Sequence, residues 1–302
     1  MFVHSLIHVL LVLLLPPLLL GVVNKTKAAF SGRNGPPLLQ PYFDLLKLLR
    51  KGMVISSATT GMFLAGPVVT LTATLAASLL VPLGHHQAVI AFPGDMILFA
   101  YLLALGRFFT ASAALDTGSP FEGMGAAREV TFAWLAEPAL FLGFVALARM
   151  SGSYSLSGML ADPMTPPLGS VGPMVLLVAG WFVVLLAENC RIPFDDPNTH
   201  LELTMIHEVM VLDHSGPALG VILYGAAIKL LVFTALVLGV ALPFTADVWT
   251  DWLAFVAGTI GLAVLVGVVE STMARLRLLH VPKLLVSGSL LTAFAVVFLL
   301  DR

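Results

Sequence analysis

The chain has 302 residues, of which 59% are hydrophobic and 11% charged. Ordinary soluble domains carry about 25% charged residues, so this composition cannot cover a water-facing surface and excludes a soluble enzyme or a disordered chain. Lys and Arg number 15 against 17 Asp and Glu, a net charge of −2 that gives no bulk field for a polyanion, so nucleic acid is not an expected partner.

The single cysteine excludes an intrachain disulfide and an iron–sulfur cluster held by this chain alone. The expected class is all-α: a polytopic membrane protein forming one integral domain over 1–302. Runs of about 20 mostly apolar residues, the length that crosses a bilayer core, predict eight transmembrane helices. They fall over 2–23, 53–81, 89–112, 128–149, 171–187, 218–241, 252–271 and 281–300.

In the first span no basic residue precedes the apolar core, and Lys25 and Lys27 follow it. That reverses the charge order of a signal peptide and predicts a retained helix with its N-terminus outside. His4 and His8, one turn apart, are expected near the outer interface. After it, Gly35-Pro36-Pro37 can open a helix on which Phe43, Leu46 and Arg50 share one side. This predicts an interfacial helix with a basic end, lying on the lipid bilayer in the first cytoplasmic loop or offering a docking surface. The third span opens on Phe92-Pro93-Gly94-Asp95 and should have a frayed outer end. The fourth carries Arg128, Glu129 and, deeper, Glu137. A carboxylate about 13 Å along the helix from Arg128 is unfavourable in lipid unless paired or protonated, which marks Glu137 as a proton-relay candidate.

The stretch after the fifth span is the longest polar one. It holds Glu188, Arg191, Asp195, Asp196, Glu202, Glu208 and Asp213, with His200, His207 and His214 recurring every seven residues. On a helix that period puts the histidines on one face. Ionisable groups this dense at a membrane edge point to proton transfer. A metal site is not expected: His207-Glu208 lacks the second histidine of the zinc-protease pattern. Histidines two turns apart are also separated by about 10 Å of rise. Cys190 reads as an inert loop thiol. Lys229 lies too deep in the sixth span to snorkel, which leaves pairing with a buried carboxylate such as Glu137 or carrying charge between protein partners. Glu270 stands near the end of the seventh span, followed by Arg275 and Arg277.

Charge asymmetry supports the count. With the N-terminus outside, Lys25, Lys27, Arg33, Lys47, Arg50, Lys51, Arg107, Arg128, Arg191, Arg275, Arg277 and Lys283 are cytoplasmic, and only Arg149 and Arg302 are on the other side. This is the positive-inside pattern. No internal repeat is evident, which counts against a free-standing ion or solute carrier.

Glu188-x-x-Arg191-x-Pro193-Phe194-Asp195, followed by Pro197 and Glu202-Leu203, resembles the signature loop of subunit 1 of respiratory complex I. The wider stretch 187–217, the Arg128-Glu129 to Glu137-Pro138 segment and Glu270–Arg277 resemble the homologous membrane subunit of formate hydrogenlyase and other energy-converting nickel–iron hydrogenases. The resemblance covers essentially the whole chain. It implies a subunit that joins a redox arm to a membrane arm, beside a quinone chamber in the complex I branch and at the mouth of a carboxylate-lined proton path. Where quinone-type members carry glutamates after the loop's second proline, this chain has Asn198 and His200, a departure that favours the hydrogenase branch.

By the resemblance Glu137 and Glu202 match acidic residues of the family, and with Lys229, Glu129 and Glu208 they are the proton-relay candidates. Glu188, Arg191, Asp195, Asp196, His200, Arg128, Arg275 and Arg277 become the candidate redox-module interface. No cofactor is expected on this chain. The implied nickel–iron centre and iron–sulfur clusters belong to partner hydrogenase large and small subunits, alongside antiporter-like membrane subunits in a prokaryotic cytoplasmic (inner) membrane. A quinone-binding subunit of a complex I-type dehydrogenase is the alternative implied by the same resemblance.

Overall fold

A computed structural model describes residues 2–161, 171–195, 205–242 and 247–300. The described residues are helical and contain no strand. In chain order the helices are α1 (Phe2–Phe30), α2 (Gln40–Arg50), α3 (Gly61–Leu80), α4 (Asp95–Asp116), α5 (Pro120–Ser151), α6 (Leu156–Leu160), α7 (Val171–Glu188), α8 (His207–Met210), α9 (Gly216–Ala241), α10 (Val248–Thr272) and α11 (Val281–Leu300). Eight of them are long and apolar enough to cross a membrane, the number the apolar runs predict.

Their ends are set by polar side chains that hydropathy does not weigh. α3 starts at Gly61 rather than near 53, because the Thr60 hydroxyl accepts from the Met62 amide and the Asp116 carboxylate accepts from the Thr60 and Phe63 amides. α5 starts at Pro120 rather than near 128, a proline in the first turn sacrificing no hydrogen bond there. The expected fraying at Phe92–Asp95 is not found. Gly94 takes a left-handed turn at φ 90°, and the buried Asp95 carboxylate accepts from the Ser155 hydroxyl and the Leu156 amide, both at 2.7 Å. α2 forms where the prolines predict an amphipathic helix. It lies against α1 and α9, its Tyr42 hydroxyl donating to the Leu14 carbonyl, and leaves Phe43, Leu46 and Leu49 exposed.

α9 is the axis of the bundle: it contacts α1, α2, α3, α7 and α10, and Leu230 to Leu238 are buried without interruption. α11 packs on α5 and α7. Small residues let the backbones approach, as expected where lipid removes the hydrophobic drive between helices. Gly143 of α5 receives the Trp181 indole of α7, and Gly180 of α7 receives Thr292 of α11. Phe99, Phe144 and Trp181 continue this seam as edge-to-face pairs 6.2 and 5.4 Å apart. Alternation of the eight spans gathers 31–60, 117–119, 189–195, 205–215 and 273–280 at one end. The other end collects 81–94, 152–161 and the start of α10.

His8 is 1% exposed, its Nε2 being 3.0 Å from the Ser78 carbonyl in the last turn of α3. Two local expectations are corrected. The heptad histidines do not share a helix: α8 is four residues long, His214 lies in the turn after it, and His200 is outside the described residues. Lys229 pairs with Glu188, not Glu137.

Candidate functional site

Four helices each contribute one charge to a line through the bundle. Arg107 of α4 donates from Nη1 to Glu137 Oε1 of α5 at 2.8 Å. From Nη2 it donates to both oxygens of Glu188 at the end of α7, at 2.8 and 3.0 Å. Lys229 of α9 closes the line, its Nζ 2.8 Å from Glu188 Oε2. Signs alternate and the sum is neutral, the arrangement that lets charges persist where isolated ones could not. The Glu188 side chain is 5% exposed and that of Glu137 39%. Glu137 is therefore an ion-paired carboxylate at the open end of the line.

Three cavities follow it. Glu137, Arg107 and Glu188 line one of about 840 Å³, its mouth included, together with Tyr101, Phe141 and Phe233. Arg107, Glu188 and Lys229 line a second of about 670 Å³, again with its mouth, whose wall includes Glu129, Cys190 and His207. A third, about 1220 Å³ including its mouth, shares Asn189, Cys190 and His207 with the second and reaches Asp44 of α2, Arg191, Asp195 and Glu208. Neighbouring cavities share lining residues, Arg107 and Glu188 between the first two and Asn189, Cys190 and His207 between the second and third, so polar side chains border all three.

The loop is tied down by the other predicted charges. Asp195, 1% exposed, pairs with Arg275 at 2.9 Å and accepts from the Ile206 and His207 amides at 2.8 and 3.2 Å. Arg191 is 3.3 Å from Glu270, whose other oxygen is 2.8 Å from Lys27 of α1. Arg128 donates to the Met205 carbonyl at 2.9 Å. Of the proposed interface residues, Arg128, Arg191, Asp195 and Arg275 thus have partners within this chain, Glu188 belongs to the charge line, and Arg277 is exposed. Glu129 and Glu208 line the cavities. Asp196, His200 and Glu202 lie outside the described residues. Cys190 is half-buried at φ 49°, and burial, helped by the negative charges of Glu129 and Asp195, pushes its thiol pKa up.

Arg107, the centre of the line, escaped the sequence reading because its place near the end of an apolar run made it look like a loop charge. Its pairing signal was the one arginine of the third span and the deep-lying Glu137 of the fourth. A second cluster also went unseen at the opposite end of the bundle. His85 Nδ1 and His86 Nε2 stand 2.8 and 3.2 Å from the two oxygens of Asp251, and His86 stacks on Trp252 and His4. Burial pushes the His86 imidazole pKa down, against the pull of Asp251.

Residues 3–301 match the family described as NADH dehydrogenase. The chain is similar to formate hydrogenlyase subunit 4 of Escherichia coli (strain K12), 32% identical over 297 residues and 94% of each chain. It is 33% identical to hydrogenase-4 component C of the same organism, over 98% of this chain and 95% of the relative. NADH-ubiquinone oxidoreductase chain 1 of Mycosarcoma maydis is 27% identical over 77% of this chain and 73% of its own. The fold is that of a chain in the structure of the membrane-bound sulfane sulfur reductase, an archaeal respiratory membrane complex, with a TM-score of 0.84 at 21% identity over 99% of both chains. An all-helical, eight-span, multi-pass chain with these relatives belongs to the NADH dehydrogenase subunit 1 family.

Proposed function

We propose that this chain is the membrane-anchoring and proton-coupling subunit of a formate-hydrogenlyase-like, membrane-bound nickel–iron hydrogenase complex. The reading is carried by one observation: the line Glu137–Arg107–Glu188–Lys229 runs from a side cavity to the signature loop. It is supported by full-length likeness to formate hydrogenlyase subunit 4 and hydrogenase-4 component C. In this reading the end bearing 31–60, 189–195, 205–215 and 273–280 is cytoplasmic and receives the hydrogenase large and small subunits. Those subunits hold the nickel–iron centre and iron–sulfur clusters. Antiporter-like subunits lie beside the Glu137 cavity, in a prokaryotic inner membrane.

The chemistry follows from the pairing. A proton delivered to Glu188 neutralises the carboxylate shared by Arg107 and Lys229. Lys229 is then free to turn away from Glu188 within the cavity that both line, while Arg107 keeps Glu137. Leaving a buried cation unpaired costs about 3–5 kcal/mol, so the protonated arrangement is a distinct state and its relaxation can drive a proton onward. The signature loop, anchored through Arg191 and Asp195, is the element whose position the redox module would bias.

Glu137→Gln and Lys229→Met in the assembled complex test this. Each should retain hydrogen turnover at the soluble module and lose coupled ion movement across vesicles. Unchanged turnover together with unchanged ion movement would remove the relay role. A second reading, a quinone-binding subunit of a complex I-type dehydrogenase, is favoured by the third cavity, whose wall sets Leu20, Leu45 and Leu223 beside Asn24, Asp44, Arg191 and Glu208. Quinone in the solvent extract of the purified complex, with quinone-dependent activity, would select it.

A further inference from the structure

The heptad histidines cannot share one ion, but the fold assembles a different donor set. Glu129 comes from α5, Cys190 from the turn after α7, and His207 from the start of α8. Their ligand atoms all lie within 4.8 Å of one another. Cys190 Sγ is 3.7 Å from Glu129 Oε2. Around a tetrahedral zinc, with a metal–sulfur bond of about 2.3 Å and oxygen and nitrogen bonds of about 2.0–2.2 Å, neighbouring donors stand roughly 3.3–3.6 Å apart. The Cys190–Glu129 pair needs a shift of a few tenths of an ångström to reach that spacing, and His207, within 4.8 Å of both, has up to about 1.5 Å to close.

From this convergence we propose that Glu129, Cys190 and His207 form a binding site for a borderline-soft divalent cation of the zinc type, with three protein ligands and a fourth position open to the 670 Å³ cavity. A thiolate and a carboxylate bring two negative charges, which cancel the charge of the ion and suit a poorly solvated place. Mixed sulfur, nitrogen and oxygen donors select zinc over magnesium or calcium, which take oxygen. The surroundings supply what a ligand set needs beyond itself. The His207 amide is held by the Asp195 carboxylate, which Arg275 fixes in turn. The Oδ1 of Asn189, on the wall of the same cavity, is a buried acceptor without a hydrogen-bond partner among the described residues. Bound there, the ion would staple the signature loop to α5 just beyond the end of α7, beside the Glu188–Lys229 pair. The inference does not depend on which redox partner the chain serves.

The test uses the full chain solubilised from its membranes in mild detergent with its bound partners, stripped by chelator and reloaded with Zn²⁺. Zinc should be regained with one equivalent fewer in Cys190→Ser and in His207→Gln than in the unaltered chain. X-ray absorption at the zinc edge of the unaltered chain, measured as the part removed by Cys190→Ser, should show one sulfur with nitrogen and oxygen neighbours. Equal zinc in both variants would overturn the site. Should the variants fail to assemble, the unaltered chain alone decides. A zinc shell with one sulfur among nitrogen and oxygen supports the site, whereas no added zinc, or zinc with only nitrogen and oxygen or with several sulfurs, overturns it.

Discussion

Glu188 has a cation on either side, so its removal has an unequal effect from the removal of its neighbours. Glu188→Gln leaves Lys229 without its carboxylate and should destabilise the bundle by about 3–5 kcal/mol. Lys229→Met leaves Glu188 still bidentate on Arg107 and should be tolerated better. The double variant should recover part of the loss, and thermal unfolding in detergent read as a double-mutant cycle measures it. Additive losses would show that the pair is not coupled. His214 presents a pH-dependent case. Its ring stacks on Phe63 with centroids 3.9 Å apart, and burial pushes its pKa from 6.5 down to about 4, against the pull of Asp213. The folded state therefore favours the neutral ring. Its contribution is complete above pH 6.5 and is lost as the pH falls through about 4. Proteolytic cleavage within 205–215 should accelerate over that window, and His214→Leu should flatten the profile.

The elements were legible in unequal measure. Apolar runs placed all eight spans, because burial in lipid depends on the sum of many side chains and tolerates error in any one. Their ends depend on single hydrogen bonds, such as Asp116 on the Thr60 amide and Asp95 on Leu156, between residues far apart in sequence. The histidine period misled for a similar reason. The Ile206 and His207 amides donate to Asp195, so side-chain bonding takes the donors that a longer helix would use otherwise. Close packing gives an element-level prediction. An added Cβ at Gly143 would stand 2.0 Å from the Trp181 Nε1, in a seam with no free volume. Gly143→Ala should therefore destabilise the α5–α7 contact by about 1–3 kcal/mol, as overpacking does. A thermal-shift measurement in detergent checks this, and an unchanged midpoint would contradict it.

At the scale of the molecule, the two bundle ends differ in kind. One end concentrates the loop anchors, the basic residues and the large cavity. The other carries the His85–His86–Asp251 cluster and few charges. In the proposed orientation, which the positive-inside pattern supports, the first end is cytoplasmic. In a Cys190→Ser background, which removes the chain's own thiol, Ser31→Cys should react with an impermeant maleimide only after the membrane is opened, and Ser153→Cys in intact cells. The reverse pattern would invert the orientation. The candidate site was legible as a list of charges but not as a line. Glu137, Glu188 and Lys229 stood out singly, whereas their order through Arg107 depends on how α4, α5, α7 and α9 pack.

The most direct measurement is purification of the tagged chain in mild detergent, with mass spectrometry of what accompanies it and nickel analysis of the product. A hydrogenase-like subunit to which this chain supplies the membrane anchor should bring nickel, a hydrogenase large subunit and antiporter-like chains with it. A nickel-free complex containing quinone and an NADH-type dehydrogenase arm would contradict that account and leave the quinone-binding reading in its place.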